Sequence, residues 1–403
     1  MLSLYIHIPF CRHKCTYCSF FVLPEEQVEE GNLEGLKDEY LQALIKEMRA
    51  LHEQYGHEQI RTIYIWGGTP YQLWQERLLT LIDTLLEVWD CEFLEELTVE
   101  INPDPFDGVL GLIKEASVRY KNLYKLRWSL GIQTFDDEIL KASKRNYWFN
   151  NLINFFREMQ QLKQPNVSYN ADFIAFWKFT DWGLRTKEKR EFFTKLVDSQ
   201  MFDGFSLYTL ELFPWSDWYN DAHQTAKAIQ QQYGTPEQII DEFHILKNII
   251  EYWWNRRYEL SNFARLGQES IHNMVYRNWW SYLGIGINSA SYLSEKHNAD
   301  GPVRYKNTHK RKEYLAGNYK DTTTIEPLSP QEQQREKILF LLRTGQPVQL
   351  DQYESLLEPE RKTHCTHFAE EWYILFDENT IKLTPQGMDV YNHIVTEIFI
   401  TPA

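Results

Sequence analysis

The sequence predicts an α/β protein: a partial (β/α)6 barrel followed by a small, mainly helical domain of the winged-helix type. From the start of the chain to about residue 210, short β-rich runs alternate with amphipathic helical stretches. Such alternation is typical of parallel strands joined by crossover helices. After Pro302 the alternation stops and helix signals dominate. We therefore expect a barrel domain with a helical and loop extension over residues 1–305, and a helical domain over residues 306–403.

The barrel prediction depends on runs of apolar and β-branched residues separated by stretches with helical spacing. The strand candidates are Ser3–Ile8, Thr62–Trp66, Leu97–Ile101, Leu126–Ile132, Val167–Ile174 and Gly204–Leu210. The helix candidates between them are Tyr40–Leu51, Leu73–Trp89, Leu110–Arg119, Phe149–Leu162 and Lys187–Asp198. Six such strands favour a barrel or open barrel over a doubly wound sheet.

The rest of the chain carries different signals. Pro236–Arg256 has helical spacing, and Tyr258–Tyr292 is expected to be rich in loops. Ser329, followed by Pro330 and by Glu332, is typical of an N-cap, here for a helix that reaches about Arg343. Beyond it we expect a helix near Asp351–Leu357, a strand at Ile381–Leu383 and a last helix over Pro385–Ile398.

Composition excludes several classes of protein. The formal net charge of −15 argues against nucleic acid as a partner, because a surface that neutralises phosphates needs an excess of Lys and Arg. Met1–Phe10 lacks a charged lead and a cleavage site, so we do not expect a signal peptide. No apolar run is long enough to span a bilayer, and we expect at most peripheral membrane contact. The five Cys do not form a disulfide framework, which indicates a reducing, cytoplasmic location.

Three of the cysteines form a C-x3-C-x2-C motif directly after the first strand. Cys11, Cys15 and Cys18 can offer three thiolates around one metal centre. A four-iron cluster has four corners, so three Cys leave one iron open. The amino and carboxylate groups of S-adenosylmethionine (SAM) can chelate that iron, and one electron from the cluster can then release a 5′-deoxyadenosyl radical. The motif therefore predicts a 4Fe-4S cluster with SAM beside it.

A zinc site is the alternative interpretation of the same motif. His13 or His7 would then be the fourth ligand, and the chain would be a zinc-stabilised binding protein. Zinc sites usually pair two short Cys/His hooks that are distant in sequence. The remaining cysteines, Cys91 and Cys365, stand alone and provide no second hook. The spacing favours the cluster but leaves zinc open.

Polar residues recur near the carboxyl ends of successive predicted strands. Gly67–Gly68 follows the second strand, Glu100 lies late in the third, Gln133 follows the fourth and Asp172 lies late in the fifth. The carboxyl ends of parallel barrel strands meet at one mouth, where barrel enzymes place their chemistry. Carboxylates suit ribose hydroxyls or an ammonium group, and Arg145 suits a carboxylate. Singly, each of these residues also has an ordinary structural explanation.

With these motifs in place, the chain resembles the radical SAM family of oxygen-independent coproporphyrinogen III oxidases. The oxidase branch carries a further Cys two positions past the third cluster ligand, where this sequence has Phe20, and this difference favours the heme-chaperone branch of the family. The matching segments span nearly the whole chain. They are Tyr5–Cys11, Gly67–Pro70, Ser129–Phe135, Tyr258–Ala264, His272–Tyr276, Tyr282–Gly286 and Leu383–Gly387.

The resemblance implies a set of binding residues. Cys11, Cys15 and Cys18 would hold the cluster. In the chaperone branch the H-N-x-x-Y motif is tied to heme binding, which nominates His272, although a purely structural role for this histidine stays open. The SAM site would be made from Tyr5, Tyr17, Gly67, Gly68, Thr69, Glu100, Gln133, Arg145 and Asp172.

The implied partners are heme or another porphyrin, a heme-accepting apo-protein and a reductant for the cluster. The alternative is an enzyme: an oxidoreductase that oxidises or decarboxylates a porphyrin as coproporphyrinogen III dehydrogenases do, or a related modifying enzyme. Two departures from the family pattern bear on the ligand. Trp66 stands where the family has a third glycine, and Phe173–Phe179 replaces a segment with Gly and Pro, so we expect aromatic rings to reshape the floor of the mouth.

Overall fold

The computed structural model describes residues 1–28, 32–104, 108–176, 187–214, 216–221, 235–253, 255–350, 353, 359–377 and 380–400. Its strands are β1 (Leu2–Ile8), β2 (Phe10–Cys11), β3 (Leu23–Pro24), β4 (Ile60–Gly67), β5 (Glu96–Ile101), β6 (Leu126–Gln133), β7 (Val167–Ala175), β8 (Gly204–Thr209), β9 (Arg256–Glu259), β10 (Asn262–Ala264), β11 (Tyr282–Ile285), β12 (Ala290–Leu293), β13 (Val303–Lys306), β14 (Glu326–Pro327), β15 (Val348–Gln349), β16 (Ile374–Phe376) and β17 (Thr380–Leu383).

The helices within the same residues begin and end as follows. They are α1 (Leu33–Tyr55), α2 (Gln75–Val88), α3 (Val109–Arg119), α4 (Asp137–Ala142), α5 (Phe149–Gln160), α6 (Lys187–Asp198), α7 (Asp217–Asp221), α8 (Pro236–Tyr252), α9 (Ile271–Arg277), α10 (Arg311–Leu315), α11 (Pro330–Leu342), α12 (Pro359–Glu370), α13 (Pro385–Asp389) and α14 (Tyr391–Val395). None of these helices is long and apolar enough to cross a membrane.

Twelve of the strands form one sheet, in the order β14-β13-β12-β11-β1-β4-β5-β6-β7-β8-β10-β9. The six strands β1, β4, β5, β6, β7 and β8 lie side by side in chain order, and every pair among them is parallel. Each of the five connections between these strands contains at least one helix, which confirms the α/β prediction with its alternating strands and helices. Among the described strands, no pairing joins β14 to β9, so the sheet stays open as in a partial barrel.

Strands at both edges of this sheet correct one prediction. Tyr258–Tyr292 is predicted to be rich in loops, but it contains the second half of β9, all of β10 and β11 and the first three residues of β12, together with α9. These strands are only three or four residues long, too short for an alternating apolar pattern to stand out. Because β11 pairs in parallel with β1, the segment also extends the central sheet.

The parallel strands are buried on both faces. All seven residues of β1 are buried, and this is typical of parallel strands covered by helices. One hydrophobic cluster contains residues from Leu2 to Tyr314, and a second is built mainly from residues between Ile338 and Phe399. The two clusters agree with a large and a small unit, while the division between residues 305 and 306 stays a prediction.

The C-terminal part combines helices with a three-stranded antiparallel sheet in the order β15-β17-β16. The predicted cap is present, since the amide of Glu332 donates to Ser329 Oγ (3.3 Å) and the amide of Ser329 donates to Glu332 Oε2 (2.9 Å). The single last helix is wrong: Val390, at φ −115° and ψ 24°, separates α13 from α14. The predicted helix Asp351–Leu357 lies, except for Tyr353, outside the described residues.

Candidate functional site

A cavity of about 840 Å³ lies at the carboxyl ends of the parallel strands. Its volume is in the range of cavities that bind cofactors and small ligands. All of the predicted site residues except Tyr5 and His272 line it. These lining residues are Cys11, Cys15, Tyr17, Cys18, Gly67, Gly68, Thr69, Glu100, Gln133, Arg145 and Asp172. The expected convergence at one mouth is therefore present, whereas the role of each residue stays a prediction.

The cysteine loop begins at Cys11, where β2 pairs in parallel with β3. Within the loop, the amide of Cys18 donates to the carbonyl oxygen of Cys15 (2.9 Å) and closes a turn. All three thiols are free and half-buried. Burial raises the pKa of Cys11 to about 12 and that of Cys18 to about 11, and the neighbouring Cys15 adds to both. A cationic metal centre would reverse this preference and favour the thiolates.

The three thiols fit a four-iron cluster by their number and chemistry. Within the described part of the chain, no three His, Cys, Asp or Glu side chains are grouped as they would be around a single ion. A cluster does not need such a grouping, because each thiolate binds a different iron atom. Three cysteines on one loop therefore suit a cluster with one corner left for another ligand.

The glycine turn after β4 is fixed directly to the cysteine loop. The amide of Gly68 donates to Ile8 O (2.7 Å), and the amide of Thr69 donates to Phe10 O (2.8 Å). A Cβ atom at position 68 would lie 2.6 Å from Phe10 O and 2.9 Å from Cys11 Sγ. The turn thus needs glycine for its close approach to the cysteine strand, a reason that spacing alone does not reveal.

Asn102, which sequence reasoning missed, connects the glycine turn to Arg145. Its Nδ2 donates to Thr69 Oγ1 (2.9 Å), and its Oδ1 accepts from Arg145 Nη1 (2.7 Å). Arg145 Nη2 donates to the hydroxyl of Tyr17 (2.6 Å), while the buried Nε has no hydrogen-bond partner among the residues that the structure describes. The sequence position of Asn102 could have identified it, because it directly follows β5. Like Glu100, it therefore lies at the carboxyl end of a parallel strand, where barrel proteins place functional residues.

Gln133 ends β6 in the left-handed region, with φ 67°. This conformation coincides with a shift in register between β6 and β7. The preceding Gly131 leaves the necessary room, since a Cβ there would lie 2.8 Å from Asn102 Oδ1 and 2.9 Å from Gln133 Nε2. A residue other than glycine rarely adopts a positive φ, and such residues are enriched at functional sites.

Two carboxyl groups in the cavity, those of Glu100 and Asp172, are close enough to interact electrostatically. Burial, with the nearby Asp172, raises the pKa of Glu100 to about 8, and Tyr64 donates to Glu100 Oε1 (2.7 Å). Burial likewise raises the pKa of Asp172, although Ser129 donates to its Oδ2 (3.0 Å) and Asn170 to its Oδ1 (2.8 Å). A pair of this kind suits a ligand with ammonium or hydroxyl groups, which would favour the ionised forms.

Tyr5 does not reach the cavity lining and instead supports it from behind. Its hydroxyl lies 2.6 Å from His7 Nδ1, and His7 Nε2 lies 3.1 Å from Phe21 O. Because the carbonyl can only accept, Nε2 donates to it and Nδ1 accepts from Tyr5. Burial lowers the pKa of His7 to about 4. Both nitrogens of this candidate zinc ligand are thus engaged; the other candidate, His13, pairs with Glu26 (3.1 Å).

His272 is fully buried beneath the cavity. Its Nδ1 lies 2.8 Å from Thr62 Oγ1, and its Nε2 lies 2.8 Å from the hydroxyl of Tyr276. Thr62 donates to Ser3 Oγ (2.8 Å), so its oxygen accepts from Nδ1, and Nε2 accepts from Tyr276. Burial lowers the pKa of His272 to about 3. The imidazole therefore reaches the cavity only through Tyr276, which lines it.

Aromatic rings shape the mouth, as the departures from the family pattern suggested. The Trp66 ring lies 4.8 Å from that of Phe20 and 5.6 Å from that of Tyr5, and the first two line the cavity. In the segment after Asp172, Phe176 packs 5.9 Å from the ring of Tyr17. Residues 177–179 of that segment lie outside the described residues.

Comparisons with known proteins identify relatives of this chain. Residues 5–181 match the model of the Radical SAM superfamily. The chain is 29% identical to the heme chaperone HemW of Bacillus subtilis, over 98% of both chains. It is 27% identical to HemW of Lactococcus lactis, over 99% of this chain and 97% of the relative.

A solved structure shows the same fold. Coproporphyrinogen III oxidase (HemN) from Escherichia coli superimposes with a TM-score of 0.75 at 19% identity, covering 99% of this chain and 90% of that one. The cysteine loop lies inside the matched residues 5–181, and the likeness to the HemW proteins extends over both hydrophobic clusters. Residues 5–181 thus form a radical SAM domain, and the chain as a whole is similar to the HemW proteins. The cofactors that this domain implies are a 4Fe-4S cluster and SAM.

Proposed function

We propose that this protein is a heme chaperone, which binds heme in the cavity and passes it to a heme-accepting apo-protein. The main support for this proposal is the extent of the cavity. Beyond the cysteine loop, it continues past β9 and α9 to Arg343 and Asn392 of the C-terminal part. This leaves room for a second ligand beside SAM, and the full-length likeness to HemW proteins supports heme as that ligand.

The cysteine-loop end would hold the cluster and SAM. Cys11, Cys15 and Cys18 would bind the cluster, which together with SAM supplies one-electron chemistry when bound. Glu100 and Asp172 would accept hydrogen bonds from the ribose hydroxyls or the ammonium group. The remaining SAM contacts would come from the other predicted lining residues, which are Tyr17, Gly67, Gly68, Thr69, Gln133 and Arg145.

The H-N-x-x-Y segment would meet heme through its cavity-facing side chains. Asn273 and Tyr276 line the cavity, whereas His272 lies behind Tyr276 and accepts a hydrogen bond from its hydroxyl. A phenol oxygen is an accepted axial ligand of heme iron, as is an imidazole. In this proposal Tyr276 makes the contact, and His272 positions its hydroxyl. Direct binding by His272 would require the Tyr276 hydroxyl to leave Nε2, the ring nitrogen on the cavity side.

Phe20 supports the chaperone over a decarboxylating oxidase. The sequence resemblance places a further cysteine of the oxidases at this position, and phenylalanine has no group that could serve in its place. The Phe20 side chain is 49% exposed and lies at the cavity mouth beside Trp66. Free thiols for a cluster need a reducing compartment, which agrees with a cytoplasmic location.

An anaerobic assay separates the chaperone from an enzyme. Reconstituted protein would be incubated with SAM, a reductant and coproporphyrinogen III, and in parallel with hemin followed by apo-myoglobin as a generic acceptor. We expect the porphyrinogen to remain unchanged, and hemin to be retained unmodified and then transferred. A decarboxylated porphyrin product, or failure to retain hemin, would contradict the proposal.

A further inference from the structure

We infer that Arg277 and Arg343 form a carboxylate-binding site in the cavity, suited to a propionate group of a tetrapyrrole. The inference rests on the proposed heme function and names the part of the protein that would recognise the edge of the ligand. Both arginines line the cavity: Arg277 ends α9, and Arg343 directly follows α11.

The two guanidinium groups share a single buried carboxylate. Arg277 donates to Glu259 Oε2 through Nε (3.0 Å) and Nη2 (2.9 Å), and Arg343 Nη2 lies 3.8 Å from the same oxygen. The Glu259 side chain is fully buried. Among the described residues, neither arginine forms another ion pair. Two positive charges therefore meet one negative charge at this point of the cavity.

The guanidinium group of Arg343 can donate further hydrogen bonds to a ligand. Within the described part of the chain its buried Nε has no hydrogen-bond partner, and the side chain, which lines the cavity, is 25% exposed. Burial and the adjacent Arg277 lower the pKa of Arg343, as expected for a cation whose charge is incompletely neutralised. The guanidinium lies 5.3 Å from the centre of the Tyr391 ring, which holds it in place. A carboxylate can accept two parallel hydrogen bonds from such a planar group.

Glu259 cannot supply those bonds, because its other oxygen is already used. Glu259 Oε1 accepts from the amide of Ser261 (2.7 Å) and from Asn262 Nδ2. Its Oε2 is occupied by Arg277, so Arg343 stays at the longer distance. An external carboxylate would complete the pairing of Arg343 without displacing Glu259.

Other cations at the cavity have partners of their own. Arg12 pairs with Asp104 (3.3 Å), and Lys144 pairs with Asp217 (3.4 Å). Arg145 is held at the cysteine loop by Tyr17, where the proposed SAM site lies. The amides of Asn273, one turn before Arg277 on α9, and of Asn392, next to Tyr391, also line the cavity and can donate to a second oxygen. Because Arg277 and Arg343 belong to neither the cysteine loop nor the glycine turn, we assign them to a ligand other than SAM.

The test compares hemin with hemin dimethyl ester, in which both propionates are neutral. Arg343→Gln is the informative variant, because Glu259 keeps its two bonds from Arg277. We expect this variant to bind hemin about tenfold more weakly, the effect of one lost charge-assisted contact, and to bind the ester as the wild type does. Arg343→Lys should recover part of the hemin affinity. Arg335→Gln, an exposed arginine on α11, is the matched control and should match the wild type.

The outcomes are distinguishable. Cluster absorbance and thermal melting confirm that each variant is folded, and SAM binding by Arg343→Gln should be unchanged. Wild-type affinity of this variant for hemin, equal losses for hemin and ester, or loss of SAM would overturn the inference. If the wild type binds hemin and ester equally, only the inference fails. If the wild type binds neither, the proposed heme function fails and the inference with it.

Discussion

The two ends of the cavity are built in different ways. At the cysteine-loop end, the functional residues come from short local motifs, and backbone hydrogen bonds join the glycine turn to the cysteine strand. At the arginine end, residues distant in sequence meet around one buried carboxylate, Glu259. The first end is set by local spacing. The second exists only because the C-terminal part packs beside β9 and α9, so its geometry depends on the whole fold.

The largest effect should come from the cysteines. Replacing Cys11, Cys15 or Cys18 by Ser should each abolish the iron content and the brown chromophore, because two thiolates do not hold the cluster in place. Cys91→Ser is the control, since Cys91 stands apart from the loop. Iron and sulfide analysis after anaerobic reconstitution measures the result. Full iron content in any of the three variants would remove that cysteine from the site.

Gly68→Ala tests whether the glycine turn positions the cysteine loop. The added Cβ would meet Phe10 O at 2.6 Å and Cys11 Sγ at 2.9 Å. We expect a loss of about 1–3 kcal/mol of unfolding free energy and poorer cluster retention, because backbone must move. Gly111→Ala in α3 is the control: its nearest contact would be 3.5 Å, and alanine favours a helix. Denaturant titrations compare the two, and equal stability of Gly68→Ala and wild type would contradict the packing argument.

Tyr276→Phe tests how the H-N-x-x-Y segment reaches the cavity. Loss of the hydroxyl should weaken heme retention about tenfold, while the cluster and SAM binding remain. His272→Ala should weaken it no further, because His272 acts through that hydroxyl. Tyr282→Phe, whose ring lies 4.7 Å from that of Tyr276, is the control. Normal heme retention by Tyr276→Phe together with loss in His272→Ala would instead make His272 the ligand.

The last effect concerns stability alone: it is the pH dependence set by Glu100. Its pKa of about 8 in the folded chain is above the value of about 4.3 in an unfolded one. The folded state therefore keeps a proton that the unfolded state releases, and the stability this provides is complete below about pH 4.3 and lost as the pH rises to about 8.

Glu100→Gln cannot lose a proton in this way. In the SAM-free protein, the variant should gain about 1–3 kcal/mol relative to the wild type between about pH 5 and 8, since water in the open cavity screens part of the effect. Glu87→Gln, at an exposed position on α2, should follow the wild type. Melting curves across this pH range decide the question, and parallel curves for Glu100→Gln and wild type would show that Glu100 is ionised in the folded chain.

Much of the fold could be predicted from the sequence because its parallel strands are long, buried and separated by amphipathic helices. The strands that were not predicted, such as β10 (Asn262–Ala264), are too short for an alternating apolar and polar pattern to be recognised. The break in the last helix at Val390 could not be predicted for a different reason. Asp389, just before it, forms ion pairs with Arg257 and Lys247, which belong to other elements. Partners distant in sequence cannot be inferred from local propensity.

The site, too, has a part that local sequence predicts and a part that depends on residues distant in sequence. Its cysteine-loop end follows from the spacing of local motifs, and its strand-end residues follow from the rule that parallel strands converge. Which face of the short helix α9 meets the cavity does not follow from the sequence. The family resemblance nominated His272, and the side chain of this motif that lines the cavity beside Asn273 is Tyr276. The arrangement of Glu259, Arg277 and Arg343 had no local signal at all, because it forms only in the folded chain.

The most direct test of the central claim is the electron paramagnetic resonance spectrum of the reduced, reconstituted protein with and without SAM. Three thiolates on one loop leave an iron open to the cavity, so the account predicts a four-iron signal that changes when SAM is added. A protein without such a signal, or one whose signal SAM leaves unchanged, would contradict it.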